Sequence, residues 1–310
     1  MNDMDKEHSS IVFVHGGVEN NCENQFIDAL IQAVQSNCCA DRLDLIDIVE
    51  ETVKSLEDNP LFNAGYGSVL NLKGRVEMDA AIMDGATGRC GSVAAIQNVQ
   101  NPVSIARKIM EETPHVLLTG SGAKRFARQM GFPPFNPVTK IQRDSWEKAI
   151  MLKSLDKHVN GSPFTRLKKT CDTVGCVAAY NGRTAAACST GGTFLKLPGR
   201  VGDSPVIGAG IFASPHGAAV CTGKGEAFIE IAGAVQAVNL LAQGFSPEDS
   251  GREIINKISE KNATGGILII SYKGEVAAVH NSSQFPVVLV INGKVKENFE
   301  PLKITGFSMH

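Results

Sequence analysis

The residue patterns that most often carry chemistry are missing from this chain, which narrows where any activity can sit. The seven histidines (His8, His15, His115, His158, His216, His280, His310) are scattered, and none belongs to an HExxH or GxSxG context. A Ser-His-Asp hydrolase therefore has no anchor. The eight cysteines (Cys22, Cys38, Cys39, Cys90, Cys171, Cys176, Cys188, Cys221) contain no CxxC pair and no Cys/His cluster, so they read as reduced, small buried residues rather than a zinc site or a disulfide framework. Gly208-Ala209-Gly210-Ile211-Phe212-Ala213 spells GxGxxA, but a dinucleotide fingerprint must open a helix, and Ser214-Pro215-His216-Gly217 cannot continue one. Gly223-Lys224 resembles the end of a phosphate loop, yet Gly217 lies six positions before Gly223 instead of five, and Gly225 replaces the required Ser or Thr. What remains is a concentration of small hydroxylated and glycine residues in four clusters: Cys171-Asp172-Thr173-Val174-Gly175, Ser189-Thr190-Gly191-Gly192, Gly199-Arg200-Val201-Gly202-Asp203-Ser204 and Cys221-Thr222-Gly223-Lys224-Gly225-Glu226. Each alone fits a turn or a crowded strand end. Together they are where hydroxyl chemistry has residues to work with.

The elements that must position these clusters are legible in outline. Ser9–His15 is a short run of branched residues closed by Gly16-Gly17, the pattern of a buried strand ending in a turn. Apolar residues at three-and-four spacing predict helices over 24–36 and 42–57, the latter through Leu43, Ile46, Val49, Val53 and Leu56. Strands are expected over 76–84 and 91–97, and Asn101-Pro102 opens a helix ending near Glu112. From 133 to 170 prolines, basic residues and the single Trp146 predict a flexible connector with one helical piece around 146–155. Asn181-Gly182 then predicts a hairpin between 173–180 and 183–189. Further strands are expected over 205–212, 217–221, 266–272, 275–280 and 286–291, with helices over 226–243 and 247–261, the second capped by Ser246. Strands and helices come in blocks, which argues for antiparallel sheets covered by helices, an α+β class.

At 310 residues the chain lies between one large domain and two ordinary ones. Its formal net charge is −2, with 20% charged and 43% hydrophobic residues. That balance describes a globular protein and argues against nucleic acid as the main ligand, because phosphate binding needs a surplus of positive charge. No apolar run approaches the roughly 20 residues that span a bilayer, so no membrane segment is expected. Met1–Ser10 is polar and acidic without the order of a secretory signal, and a cytoplasmic setting is the expectation.

With these residues in view, the sequence resembles the plant-type asparaginase and isoaspartyl peptidase family of N-terminal-nucleophile hydrolases, whose relatives include glycosylasparaginases and threonine aspartase. The resemblance begins at His15-Gly16-Gly17. It continues through Leu56-Glu57-Asp58-Asn59-Pro60-Leu61-Phe62-Asn63-Ala64-Gly65-Tyr66-Gly67 and the segment Glu77–Gly85, passes Asn101-Pro102 and Thr113-Pro114-His115, and takes in the four clusters in order.

The resemblance implies a four-layer αββα sandwich spanning 1–310 as one domain. It also implies that the chain cuts itself between Asp172 and Thr173, leaving an α-subunit 1–172 and a β-subunit 173–310 that begins with the nucleophile. Thr173 would then carry an α-amine whose unperturbed pKa of about 7.7–8.0 suits it to take the proton of its own hydroxyl. By the same resemblance Thr190 holds the Thr173 hydroxyl or amine. Thr222 and the Gly223 N–H form an oxyanion hole, and Asn63 supports the surroundings. Arg200 clamps a substrate α-carboxylate, while Asp203, helped by Gly225, holds the α-ammonium. The implied substrates are L-asparagine and β-aspartyl dipeptides. No catalytic metal is implied, only a structural Na+ on backbone carbonyls within 56–66, and the implied assembly is a homodimer of cleaved αβ units.

Several residues depart from the family's usual pattern. His15-Gly16-Gly17 runs into Val18-Glu19-Asn20, Lys224 stands where histidine is common, and Leu195 and the segment 281–286 also differ. Asp172 is shared with glycosylasparaginases, which makes that activity the alternative enzyme. A non-cleaving homologue that binds a small molecule or a protein is the alternative from another class.

Overall fold

The computed structural model describes residues 9–18, 24–36, 44–155 and 173–305. In chain order the strands are β1 (Ile11–His15), β2 (Met78–Asp84), β3 (Cys90–Ile96), β4 (Leu117–Thr119), β5 (Val174–Tyr180), β6 (Arg183–Thr190), β7 (Ile211–Ser214), β8 (Gly217–Gly223), β9 (Gly265–Ser271), β10 (Val276–His280), β11 (Val287–Ile291), β12 (Lys294–Val295) and β13 (Leu302–Lys303). They form an eight-stranded sheet in the order β12-β11-β1-β5-β6-β2-β3-β4 and a five-stranded sheet in the order β13-β10-β9-β8-β7. Neighbouring strands run antiparallel except β3 with β4 and β10 with β13.

Side-chain alternation along β5 shows why the layers form. Val174, Cys176 and Ala178 point into one core, while Val177 and Ala179 point into another, the period of two that lets a strand serve both faces. The first core lies under helices α1 (Asn24–Gln35), α2 (Leu45–Glu57) and α3 (Pro102–Glu112), packed by Leu30, Ile48, Leu56 and Ile105. The second joins the two sheets through Phe13, Ile211, Val220, Leu268 and Ile270. Two further helices, α4 (Gly120–Gln129) and α5 (Lys140–Leu155), precede β5. Beyond the five-stranded sheet, Phe228, Val238, Ile254 and Ile258 fix α6 (Gly225–Ile231), α7 (Gly233–Ala242) and α8 (Pro247–Glu260). The result is the expected four-layer αββα sandwich.

The local expectations hold where chemistry is explicit. Asn181 and Gly182 take φ of 48° and 70° in the β5–β6 hairpin, as a primed turn demands. Ser246 accepts the Asp249 N–H and starts α8. The helix expected over 226–243 is instead two, because Ala232 adopts a left-handed conformation (φ 50°) and the axis bends by 48°. Among the described residues no single helix is long and apolar enough to cross a membrane. The strand expected over 205–212 is largely a turn. Gly208 has φ 93°, and the carbonyls of Gly208 and Ala209 accept the Val235 and Ala234 N–H groups at the start of α7. The GxGxxA sequence thus leads into a strand, not a helix.

Within 133–170, the expected helical piece begins earlier, at Lys140, and it is docked. The Trp146 indole donates to the Asn71 carbonyl at 2.9 Å, and the Gln142 amide donates to the Gly67 carbonyl at 3.0 Å. Residues 156–172, including Asp172, lie outside the described residues.

Candidate active site

Antiparallel pairing brings the four clusters to one end of the sandwich. Strand β5 starts just after Thr173, β6 ends at Thr190, and β8 ends at Thr222-Gly223. Val174 pairs with Ser189, and Asp79 at the start of β2 pairs with Thr190. Thr173 is 5% exposed, and its hydroxyl lies 3.4 Å from the Ser204 hydroxyl. Thr190, which the resemblance assigns to hold Thr173, accepts the Gly192 N–H at 3.0 Å and keeps its own O–H to donate. That contact ties it to the turn that follows β6. Asn63 locks the same turn. Its Nδ2 donates to the Gly192 carbonyl at 2.7 Å, its backbone carbonyl accepts the Gly191 N–H at 2.7 Å, and its Oδ1 accepts the Val69 N–H at 2.9 Å. A side chain at Gly191 would sit 2.3 Å from Asn63 Oδ1, so only glycine permits this closure.

On the facing sheet, the Thr222 hydroxyl is buried and has no hydrogen-bond partner among the described residues. Gly223 has φ 117°, and a Cβ there would lie 2.4 Å from the Thr264 carbonyl oxygen. The turn from β8 into α6 requires glycine at that point.

His15 underlies Thr173. It pairs with Gly175 across β1 and β5, and a Cβ on Gly175 would lie 2.5 Å from His15 Nε2. Its Nδ1 accepts the Gly17 N–H at 3.2 Å. Burial pushes its pKa down to about 3 against the opposing influence of the Thr173 backbone, so the imidazole is neutral at physiological pH. Glu57, at the end of α2, is fully buried and accepts the Val103 N–H at 3.0 Å. Burial raises its pKa to about 8, outweighing the stabilising Ser189 hydroxyl and Val103 N–H.

The charged cluster lies beside these neutral groups. A Cβ on Gly225 would stand 2.6 Å from Asp203 Oδ1 and 3.3 Å from Arg200 Nη2, so the expected recognition residues Arg200, Asp203 and Gly225 do meet. Asp203 is 3% exposed, and its Oδ2 has no partner among the described residues. Burial raises its pKa to about 7 against its own backbone N–H and the Arg200 guanidinium, and Glu226 and Asp79 raise it further. Glu226 binds Arg200 Nε and Nη2, both at 2.9 Å. Burial raises the Glu226 carboxyl, but its own N–H and Arg200 outweigh burial and hold it below its ordinary value.

Sequence reasoning assigned no role to Ser204, Glu226, Lys196 or Asp79. Lys196 is buried and donates to the Glu77 carbonyl at 2.8 Å. Burial lowers its pKa although Asp79 faces it. Lys196-Leu197-Pro198 gave no sign of this, because burial is not written in the local sequence. Ser204 gave none, because its contact crosses 31 residues of chain.

Together these residues place a buried threonine hydroxyl among neutral groups, next to an arginine and a titratable carboxyl. An αββα sandwich with such a site is an architecture a hydrolase can use. The family model described as "Asparaginase" matches residues 11–299, and the chain belongs to that family. It is 40% identical over 295 residues to a protein of Pyrococcus abyssi named plant-type L-asparaginase, covering 91% of this chain and 96% of that one. It is 37% identical over 301 residues to the mouse isoaspartyl peptidase/L-asparaginase, covering 94% and 91%. The human protein of the same name is 36% identical over 300 residues, covering 94% and 96%.

Proposed function

We propose that this chain is a self-cleaving amidohydrolase that hydrolyses the side-chain amide of L-asparagine and the β-linked amide of isoaspartyl dipeptides, with Thr173 as nucleophile. The convergence of a buried threonine hydroxyl with the Arg200–Asp203–Gly225 cluster carries this reading. In the precursor, Thr173 Oγ1 attacks the Asp172 carbonyl carbon. The peptide C–N bond breaks as an ester forms, the hydroxyl proton ends on the released amine, and water hydrolyses the ester. Thr173 then begins a chain, and its amine takes the hydroxyl proton as Oγ1 attacks the substrate amide. Ammonia or an amino acid departs with a proton, leaving a β-aspartyl ester that water cleaves to aspartate.

Each recognition residue has a matching task. Arg200 presents a planar fork to the α-carboxylate. Asp203 receives the α-ammonium, with the Gly225 backbone beside it, and that cation draws it into its ionised form. The Thr222 hydroxyl and Gly223 N–H are assigned to the developing oxyanion, where one such donor is worth about 2.7–4 kcal/mol of barrier. Asn63 and Thr190 keep the Gly191-Gly192 turn in place beneath them.

A structural Na+ belongs to the same proposal. The carbonyl oxygens of Pro60 and Phe62 turn to the same side of Gly67, and backbone carbonyls are the oxygen donors a hard cation takes. The Glu57 carbonyl accepts the Tyr66 N–H at 2.6 Å and closes that loop. A cytoplasmic setting is supported by Cys176, Cys188 and Cys221 being buried free thiols. A homodimer of cleaved units is supported by the exposed Val116 and Leu117 on the edge of the larger sheet.

A substrate panel tests the activity. Purified protein should release aspartate from asparagine and from several β-aspartyl dipeptides. Turnover confined to a glycosylated asparagine, or none at all, would overturn the assignment.

A further inference from the structure

We infer that Ser204 is a positioning residue for the nucleophile, setting the rotamer of Thr173 for both self-cleavage and turnover. The inference rests on Thr173 being the nucleophile. Ser204 is fully buried, and its hydroxyl makes one contact among the described residues, with Thr173 Oγ1 at 3.4 Å. Its backbone is pinned from two sides. Cys188 Sγ donates to the Ser204 carbonyl at 3.2 Å, and a Cβ on Gly210 would stand 2.8 Å from the Ser204 Cα.

Threonine carries a hydroxyl and a methyl on the same carbon, so a rotation of χ1 exchanges one for the other. With Oγ1 toward Ser204, both buried hydroxyls have a partner. With the methyl there instead, the Ser204 hydroxyl has none, and a buried polar group without a partner is disfavoured. Ser204 therefore holds Oγ1 on the inter-sheet side. The Thr190 hydroxyl makes its contact with the Gly192 N–H, and the Ser204 hydroxyl makes its contact with Thr173. The contact is longer than the usual O–H···O distance of about 2.7–2.8 Å, and catalytic hydrogen bonds commonly tighten once substrate is bound. No proton is consumed or released by this arrangement. Ser204 orients the hydroxyl, and the α-amine remains the base.

The test follows the full-length chain by intact mass for a fragment beginning at Thr173, and by aspartate release for kcat and KM on asparagine. Ser204→Ala should slow self-cleavage and lower kcat at least about tenfold each while KM stays within about twofold, because the α-carboxylate and α-ammonium contacts lie elsewhere. In a Thr173→Ser background, where no methyl restricts χ1, the same change should cost at least about threefold more. A purely structural role would instead give additive losses. Wild-type cleavage and kcat in Ser204→Ala, a loss entirely in KM, or additivity in the cycle each overturn the inference. Should Ser204→Ala fail to give a native circular dichroism spectrum, Ser204→Cys takes its place, and wild-type rates there overturn the inference equally. Thr173→Ala separates the two levels. A cleaved, active Thr173→Ala chain removes the nucleophile assignment and Ser204's role with it. An inert one beside an unaffected Ser204→Ala chain removes Ser204's role alone.

Discussion

The two sides of the candidate site treat charge in opposite ways. Around Thr173 the titratable groups are held neutral: His15 loses its proton affinity to burial, down to about 3, and Glu57 keeps its proton up to about 8. The other polar groups there are uncharged: the hydroxyls of Ser204, Thr190 and Thr222 and the amide of Asn63. On the recognition side Arg200 and Glu226 remain an ion pair, and Asp203 is poised near 7. The contrast follows from the two tasks. A base that is the α-amine of the nucleophile works best near its ordinary pKa, and a fixed charge of either sign beside it would move that value. A zwitterionic substrate, in contrast, needs one cation and one anion held apart. In the proposed mechanism, neutral walls serve the covalent step and charged walls serve recognition.

Removing charge from the recognition side should separate the two tasks most sharply. Arg200→Ala should lower kcat/KM on asparagine by about a hundredfold or more, the cost of an unpaired carboxylate contact, while self-cleavage stays within about threefold. Parallel loss of both would merge the two sides into one. Mass spectrometry and aspartate release on the same preparation decide it.

The titration of Asp203 sharpens the contrast further. Burial lifts its pKa to about 7, so the carboxylate form that binds an ammonium is lost as pH falls below that value. Because the Thr173 α-amine must be unprotonated as well, kcat/KM on asparagine should approach a fall of about a hundredfold per pH unit below 7. Asp203→Asn should weaken binding and remove that ionisation, leaving the amine's titration alone and a slope of about tenfold per pH unit in kcat/KM. An unchanged pH profile in the variant would contradict the role.

On the neutral side, Glu57 should reveal itself in stability. Its folded pKa of about 8 exceeds the usual 4.5, so the folded state retains a proton that the unfolded state releases. The stability this group provides is therefore complete below pH 4.5 and declines as pH rises toward 8, by roughly 1 kcal/mol per unit. Glu57→Gln in an uncut Thr173→Ala background should melt higher than its parent at pH 9 and close to it at pH 5. A constant difference across that range would place the charge elsewhere.

The smallest effect concerns the frame of the recognition side. Ala232 ends α6 at φ 50°, a conformation costing a non-glycine residue about 1 kcal/mol. Ala232→Gly should raise the melting temperature by about one to three degrees without altering kcat/KM. A fall in melting temperature would mean that the left-handed cap is not strained.

How much of this was readable without coordinates depended on whether the cause was local. The Asn181-Gly182 turn, the Asn101-Pro102 helix start and the Ser246 cap announce themselves within a few residues. Helix α4 was not foreseen because only Ala123 and Ala127 are buried, too small a stripe to create an apolar period. The break at Ala232 depends on Gly233 closing against Phe228, where a Cβ would meet the ring at 2.8 Å, and no adjacent residue signals that. In the site, Arg200, Asp203 and Gly225 were visible as motif residues and do meet. Ser204 and Glu226 lie within the same motifs, yet their tasks depend on partners 31 and 26 residues away.

The central claim, that a peptide-bond cleavage creates the catalyst, can be read directly from the mass of the purified chain over time. The account predicts that the 33.0 kDa species converts to two fragments, one beginning at Thr173, and that amidase activity rises in step with that conversion. A chain that remains intact while hydrolysing asparagine would contradict it.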